Sequence, residues 1–437
     1  MKRSNPQLFP PFLRLVVFLV FVVFGLPLLA QSGASPFYDF HAESPGTMHK
    51  VTVGDLPPPN ATTSANNFPQ PYPRPAGAMP KTLPGFKVEL YFTGLDEPRE
   101  LRAAPNGDVF LAESNTGEIK IFRGVGKNGK PEQTATFVTG LKQPFGIGFY
   151  PPGANPQWVY MADTDSVMRF PYRNGDLKAR GAPEIIVAEI FPGAKEARGH
   201  WTRDVAFSAD GKKMFISVGS GSNIDDPDDH KSEFHRANIL EFNPDGSGLR
   251  VFASGIRNPV GMAIEPKTGE LWTATNERDA LGDNLVPDYT THVQDGGFYG
   301  WPWYYMGGNR DPRLPDSHPD LRAKVITPDV VIQPHSAPLG FAFYNGEQFP
   351  AEYRGDEFLA LHGSWNRANR TGYEVVRIPL HGQGKASGEY EDFVTGFVTD
   401  DGKVWGRPVG IAVAKDGSLL VSDDGSGSIW RISYAGK

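Results

Sequence analysis

The chain has 437 residues and no cysteine, which excludes disulfides, thiolate metal sites and cysteine nucleophiles. Its 50 Gly and 40 Pro make up about a fifth of the residues, against roughly 12% in an average soluble protein, yet 12% aromatics call for a packed core. Lys+Arg 43 against Asp+Glu 50 gives a net charge of −7, which disfavours nucleic acid as a partner.

Lys2, Arg3 and Arg14 make a basic start, followed by an apolar run from Leu15 to Leu29 that ends at Ala30. This pattern predicts a secretory signal peptide over residues 1–30. The run is short for a span of about 20 residues and is interrupted by Gly25 and Pro27, so cleavage is favoured over a retained anchor. Removal takes the charge from −7 to −10, and the mature protein is expected to be periplasmic or secreted, without a stable membrane span. Residues 31–85 form a Pro-rich leader, with Pro57-Pro58-Pro59 and FPQPYPRP, of polyproline-like character. It reads as a strap laid over the domain, and no chemistry is assigned to it.

From Gly94 one pattern recurs six times: a turn with Pro or Arg, an alternating strand, a Gly-containing turn, and a second apolar strand ending in Asp, Glu or Ser. The copies are Pro98–Arg123, Gln143–Phe170, His200–Ser220, Asn258–Asp279, Ala337–Ser364 and Arg407–Tyr434. Each alternates with period two between turn formers, as a β-meander does. Six copies predict an all-β fold over residues 86–437, a six-bladed β-propeller of four-stranded antiparallel blades. A two-sheet sandwich also has short strands, but it does not explain six copies of one motif. The longest insert, Glu277 to Pro334, separates copies four and five, and long loops on a rigid scaffold carry function.

Gly124 to Lys130 resembles a phosphate loop, but Pro131 stands where Ser or Thr is needed and no helix follows. In Gly255–Gly261, Arg257 and Asn258 sit on a turn at a strand mouth. The Arg257 fork suits a carboxylate or quinone oxygen, or equally a neighbouring blade's Asp. Asn276–Asn284 clusters acidic and amide side chains with Gly, an oxygen-rich loop that favours Ca²⁺ over a solvated turn. Asp225, Asp226, Asp228 and Asp229 form a second acidic loop, for which the solvated reading is better. His200, at a strand entrance, suits a proton acceptor, although one of ten histidines is ordinarily structural. The same holds for His335 and His362. Trp301, Trp303, Tyr304 and Trp365 suit either sugar stacking or packing between blades.

Taken in order, QPFGIGF, GHWTRDVAFSADG, GIRNPVG, NERDALGDNLVPDY, GGFYGWP, HSAPLGFAFYNG, HGSWNR and GRPVGIAV resemble the soluble quinoprotein glucose/sorbosone dehydrogenases, most closely the sorbosone/pyranose branch. The resemblance spans about residues 86–435. It implies a propeller holding pyrroloquinoline quinone (PQQ) and Ca²⁺, oxidising a sugar or sugar aldehyde and passing electrons to a separate acceptor such as a cytochrome or quinone. It implies His200 as general base and Arg257 as the group that neutralises the quinone oxygen. Gln143, Arg257, Asn258, His335 and Arg407 would contact PQQ; Arg278, Asp279 and Asp283 match cation-ligand positions. Gly199 stands where the glucose branch has Asp, and Trp405 where it has Arg, so glucose specificity does not transfer. The competing functions are a Ca²⁺-dependent lactonase on the same scaffold and a non-catalytic glycan-binding propeller.

Overall fold

The structure is a computed structural model that describes residues 1–2, 35–196, 198–382 and 384–436. The expected signal segment falls almost wholly outside these residues. Six antiparallel blades of four strands each follow one another along the chain, the fifth extended to a six-stranded sheet by two leader strands. Blade one runs from Pro98–Ala103 to Gln133–Val138, blade two from Gly146–Tyr150 to Glu184–Val187, and blade three from Val205–Phe207 to Arg250–Ser254. Blade four runs from Asn258–Ile264 to Val330–Ile332, and blade five from Pro338–Phe343 to Glu389–Thr395. Blade six takes its outer strand from the other end of the domain: Phe86–Thr93 pairs antiparallel with Ser428–Tyr434. The ring is thereby closed by hydrogen bonds between the first and last parts of the propeller, which protects its sheet edges. Among the described residues no helix is long and apolar enough to cross a membrane.

The Pro-Val-Gly type motifs acquire a physical reason. Pro98, Pro259, Pro338 and Pro408 open inner strands, where a missing N–H costs least. Each such strand carries a register shift directly afterwards. The inner strands then approach one another closely: a Cβ on Gly410 would lie 2.5 Å from the Arg99 carbonyl oxygen. Buried Phe145, Val260, Leu339 and Val409, with Trp201 packed against them, form an apolar plug drawn from different blades. The remaining core lies between neighbouring blades, as where Phe110 and Ile121 meet Ile147 and Met161.

The leader is tied to blades four to six. Met48–Lys50 and Lys81–Thr82 both pair with Glu389–Thr395, the outer strand of blade five. His49 Nε2 binds the buried Asp392 carboxylate at 2.8 Å, and the ring stacks on Tyr38.

Candidate active site

In each blade the inner strand begins, and the second strand ends, at the same end of the ring. Arg99, Gln143, His200, Arg257, His335 and Arg407 therefore converge near that mouth from six chain segments, with Ser220, Asp279 and Asp424 beside them.

His200 Nδ1 lies 2.8 Å from the Ser220 carbonyl oxygen. Since a carbonyl only accepts, Nδ1 carries the proton and the neutral ring keeps its lone pair on Nε2. Enclosure by protein and the nearby Arg257 charge push the pKa down to about 3. Two buried guanidiniums hold this segment: Arg236 donates to the carbonyls of Arg198, His200, Gly219 and Ser220, and Arg203 to those of His200 and Thr202. A Cβ on Gly219 would meet Asn258 Oδ1 at 2.2 Å and His200 Cβ at 2.6 Å, so glycine is needed for the two side chains to come this close.

Arg257 is buried and held by several protein acceptors. It donates to the Glu277 carbonyl (2.6 Å), to Asn223 Oδ1 (3.0 Å) and to Asp279 Oδ2 (3.1 Å). Arg257 thus pairs with Asp279 of its own blade four, where the sequence reading offered an Asp of a neighbouring blade. Asn258 donates weakly to Asn276 at 3.4 Å, while its buried Oδ1 has no partner among the described residues. The other Asp279 oxygen faces His335 Nδ1 at 3.4 Å, and His335 Nε2 binds the Gly282 carbonyl at 3.1 Å. With acceptors on both nitrogens, buried His335 is biased to its charged form and its pKa rises despite burial. Asp279 is correspondingly held below the usual carboxylate range.

Arg407 donates from Nε to the His362 carbonyl at 3.2 Å and from Nη2 to His362 Nδ1 at 2.9 Å. His362 Nε2 therefore bears the proton given to Asp424 at 2.8 Å. Arg99 closes the chain on the other Asp424 oxygen. Burial and Arg407 lower His362 to about 4, and the three neighbours hold Asp424 strongly ionised. Gln143, at φ 49, presents an exposed side chain on the turn before blade two.

The expected cation loop is already neutralised. The Asp279 carboxylate faces two cations, and its carbonyl accepts from Asn223 and Arg313. The Arg278 side chain is buried against Glu277, Asp311 and the Tyr304 carbonyl. Asp283 accepts from the Ala368 N–H, and its own N–H donates to Thr62 of the leader. The acidic loop 225–229 is not uniformly solvated: Asp226 is buried against Trp303 Nε1 at 2.9 Å and groups with Asp228 and His318. Trp301, Trp303 and Tyr304 are buried in packing, whereas Trp365 stacks on Phe68 of the leader at 4.4 Å.

Sequence reasoning singled out His200, Arg257, Asn258, His335 and Arg407, and all five lie at the mouth. It missed Arg99, Asn223, Arg236 and Asp424. Asp424 alone left a trace, as part of the acid that ends each second strand.

The chain is a closed six-bladed propeller whose mouth collects arginines, histidines and carboxylates. The chain belongs to the glucose/sorbosone dehydrogenase family, whose model matches residues 95–365; a TrAA12-like model matches residues 316–435. A Borreliella burgdorferi protein without assigned activity is 28% identical over 356 residues, covering 80% of this chain and 89% of its own. The pyrroloquinoline quinone-dependent pyranose dehydrogenase of Coprinopsis cinerea is 25% identical over 410 residues, covering 80% of this chain; the match takes in 54% of that enzyme, about half its length. The holo PQQ domain of the Coprinopsis cinerea pyranose dehydrogenase superposes with a TM-score of 0.67 at 23% identity, covering 83% of this chain and 98% of that domain.

Proposed function

We propose that the protein is an exported, PQQ-dependent dehydrogenase of a sugar or sugar aldehyde. The observation that carries this reading is the state of His200: neutral, with Nδ1 fixed on Ser220 and the Nε2 lone pair unclaimed by protein among the described residues. The residues present fit the cofactor. PQQ bears carboxylates and quinone oxygens, and the mouth of an acidic protein gathers donors for them in Arg407, Arg257 and His335, whose pKa is raised beside Asp279. Gln143, Asn258 and Arg407 would hold it, and Arg257 would polarise a quinone oxygen. PQQ, when bound, supplies the acceptor for the hydride leaving the sugar carbon.

His200 Nε2 takes the hydroxyl proton as that carbon is oxidised. Its low pKa keeps it a free base at every pH above about 4, at the cost of proton affinity. Arg236 and Arg203 keep its backbone from shifting, so the nitrogen stays at one height above the plug. A separate cytochrome or quinone receives the electrons. Ca²⁺ fits less well: the Asp279 carboxylate faces Arg257 and His335, its carbonyl accepts from Arg313, and Asp283 accepts from the Ala368 N–H, so no step is assigned to a cation.

The test is to add PQQ to the purified chain, follow its absorbance, and measure dye reduction across a panel of aldoses. His200→Ala should still bind PQQ yet lose about 10²–10⁴-fold in kcat. The pH profile of the wild type should lack an acid limb near 6.5. Absence of PQQ binding would overturn the proposal.

A further inference from the structure

We infer that leader residues 68–72 form the outer wall of the sugar cleft, with Gln70 and Tyr72 opposite Glu97 and Arg407 making a subsite that reads sugar hydroxyls; this rests on the oxidation reading above. The leader does not drape loosely over the rim. Asn60 N–H binds the Leu281 carbonyl at 2.8 Å, and Thr62 and Ser64 accept from the N–H groups of Asp283 and Gly282. Asn366 bridges outward, accepting from Ala280 N–H at 2.8 Å and donating to the Ala65 carbonyl at 2.6 Å. Asn67 is bonded to the Trp365–Arg370 loop through both backbone and side chain. Beyond the gap, Tyr72 sits 5.0 Å from Lys403 Nζ, and Arg74 lies 5.4 Å over the Trp430 ring.

Between these anchors the leader stands off the propeller and leaves a cleft of about 290 Å³. Gln70 and Tyr72, spaced by Pro69 and Pro71, line one side; Asp96, Glu97, Arg407 and Asp424 line the other. The two prolines fix the backbone, so the wall is rigid before any ligand arrives. Arg407 has Nε and Nη2 committed to His362, while Nη1 has no acceptor among the described residues. Gln70 is exposed, and its amide likewise lacks a described partner. Glu97 is held at φ 55, a left-handed conformation that costs a glutamate strain.

This lining selects its ligand by chemistry. Carboxylates accept from hydroxyls, a guanidinium and an amide donate to them, and a tyrosine ring covers C–H faces. Asp96 and Asp424 are already paired, with Asn115 and with Arg99 and His362, so an aliphatic ligand would leave Glu97, the Gln70 amide and Arg407 Nη1 without partners. A polyol ring satisfies these three. Because Arg407 belongs to both the cleft and the mouth, a ring seated here borders the mouth on the blade-six side.

The experiment uses the full chain and two variants, Gln70→Ala and Glu97→Gln. Tryptophan fluorescence of cofactor-free protein is titrated with glucose, xylose, galactose and arabinose; KM and kcat are then measured after PQQ loading. Losing one hydroxyl contact should raise Kd and KM about three- to ten-fold and reorder the sugars, with a far smaller change in kcat. Unchanged Kd, KM and sugar order in both variants would overturn the subsite, as would no saturable sugar binding by the wild type. If PQQ-loaded protein reduces no dye but Gln70→Ala still weakens sugar binding, the oxidation reading fails and the subsite stands.

Discussion

Asp279 shows how much one residue can organise. It faces Arg257 and His335 together, and burial makes each partner costly to leave alone. Its own carboxyl is lowered from 3.8, so its contribution is present above that value and lost as pH falls. His335 is raised from 6.5, so its contribution is complete below 6.5 and lost as pH rises through the raised value. Asp279→Asn should therefore destabilise the fold by about 3 kcal/mol, with the largest deficit between about pH 4 and about pH 6.5. Urea unfolding across that range measures it; a deficit that is flat with pH would remove His335 from the account. Legibility in sequence divides along the same line. Arg257 and Asn258 sit inside the blade repeat, so their place at the mouth follows from strand order alone. Asn223, Arg236 and Arg313 reach the same loop from segments whose contacts exist only once the ring has closed, and nothing local in the sequence marks them. The Asp279 pairing was equally hidden, because an acidic loop reads as a cation site until the nearby arginines are seen.

At the scale of elements, the six meanders were legible because period-two alternation and turn residues are local. The leader was legible as a proline-rich strap but not in its route, since its polyproline-like stretches are placed by partners far along the chain. Its docking carries a pH dependence of its own. Glu43 donates nothing in its charged form; it accepts from Gly372 N–H at 2.7 Å in a pocket shared with Glu374 and Asp392. Burial pushes both glutamates up, and Asp392 beside them raises Glu374 further. A carboxyl raised on folding leaves stability intact below its ordinary value near 4.5 and erodes it as pH climbs toward the raised value. Trypsin should thus cut after Lys50 and Lys81 markedly faster at about pH 9 than at about pH 6, relative to a flexible peptide control. Glu43→Gln should flatten that dependence. Equal relative rates in the wild type would show that the buried acids do not govern docking.

The whole molecule depends on a seam the repeats do not contain. Blade six borrows its outer strand from Phe86–Thr93, paired from Phe86 opposite Tyr434 to Thr93 opposite Ser428 with one register shift between Leu90 and Phe92, and Glu89 binds Arg431 across it at 2.9 Å. Without that strand the Ser428–Tyr434 edge is bare and blade one loses its closed neighbour, so the inner strands whose glycines meet backbone to backbone are no longer held in a ring. The mouth is assembled from all six blades, and its cations come into range of each other only through that closure. Two truncations separate the seam from the leader. A chain beginning at residue 86 keeps the closing strand and should fold to a β-rich protein with a lower Tm, having lost only the strap. A chain beginning at residue 94 should lose most of its soluble yield and aggregate through the exposed edge. Circular dichroism and size-exclusion chromatography read both outcomes. Equal yield and melting for the two chains would mean that the ring is held by contacts between blades and not by the seam.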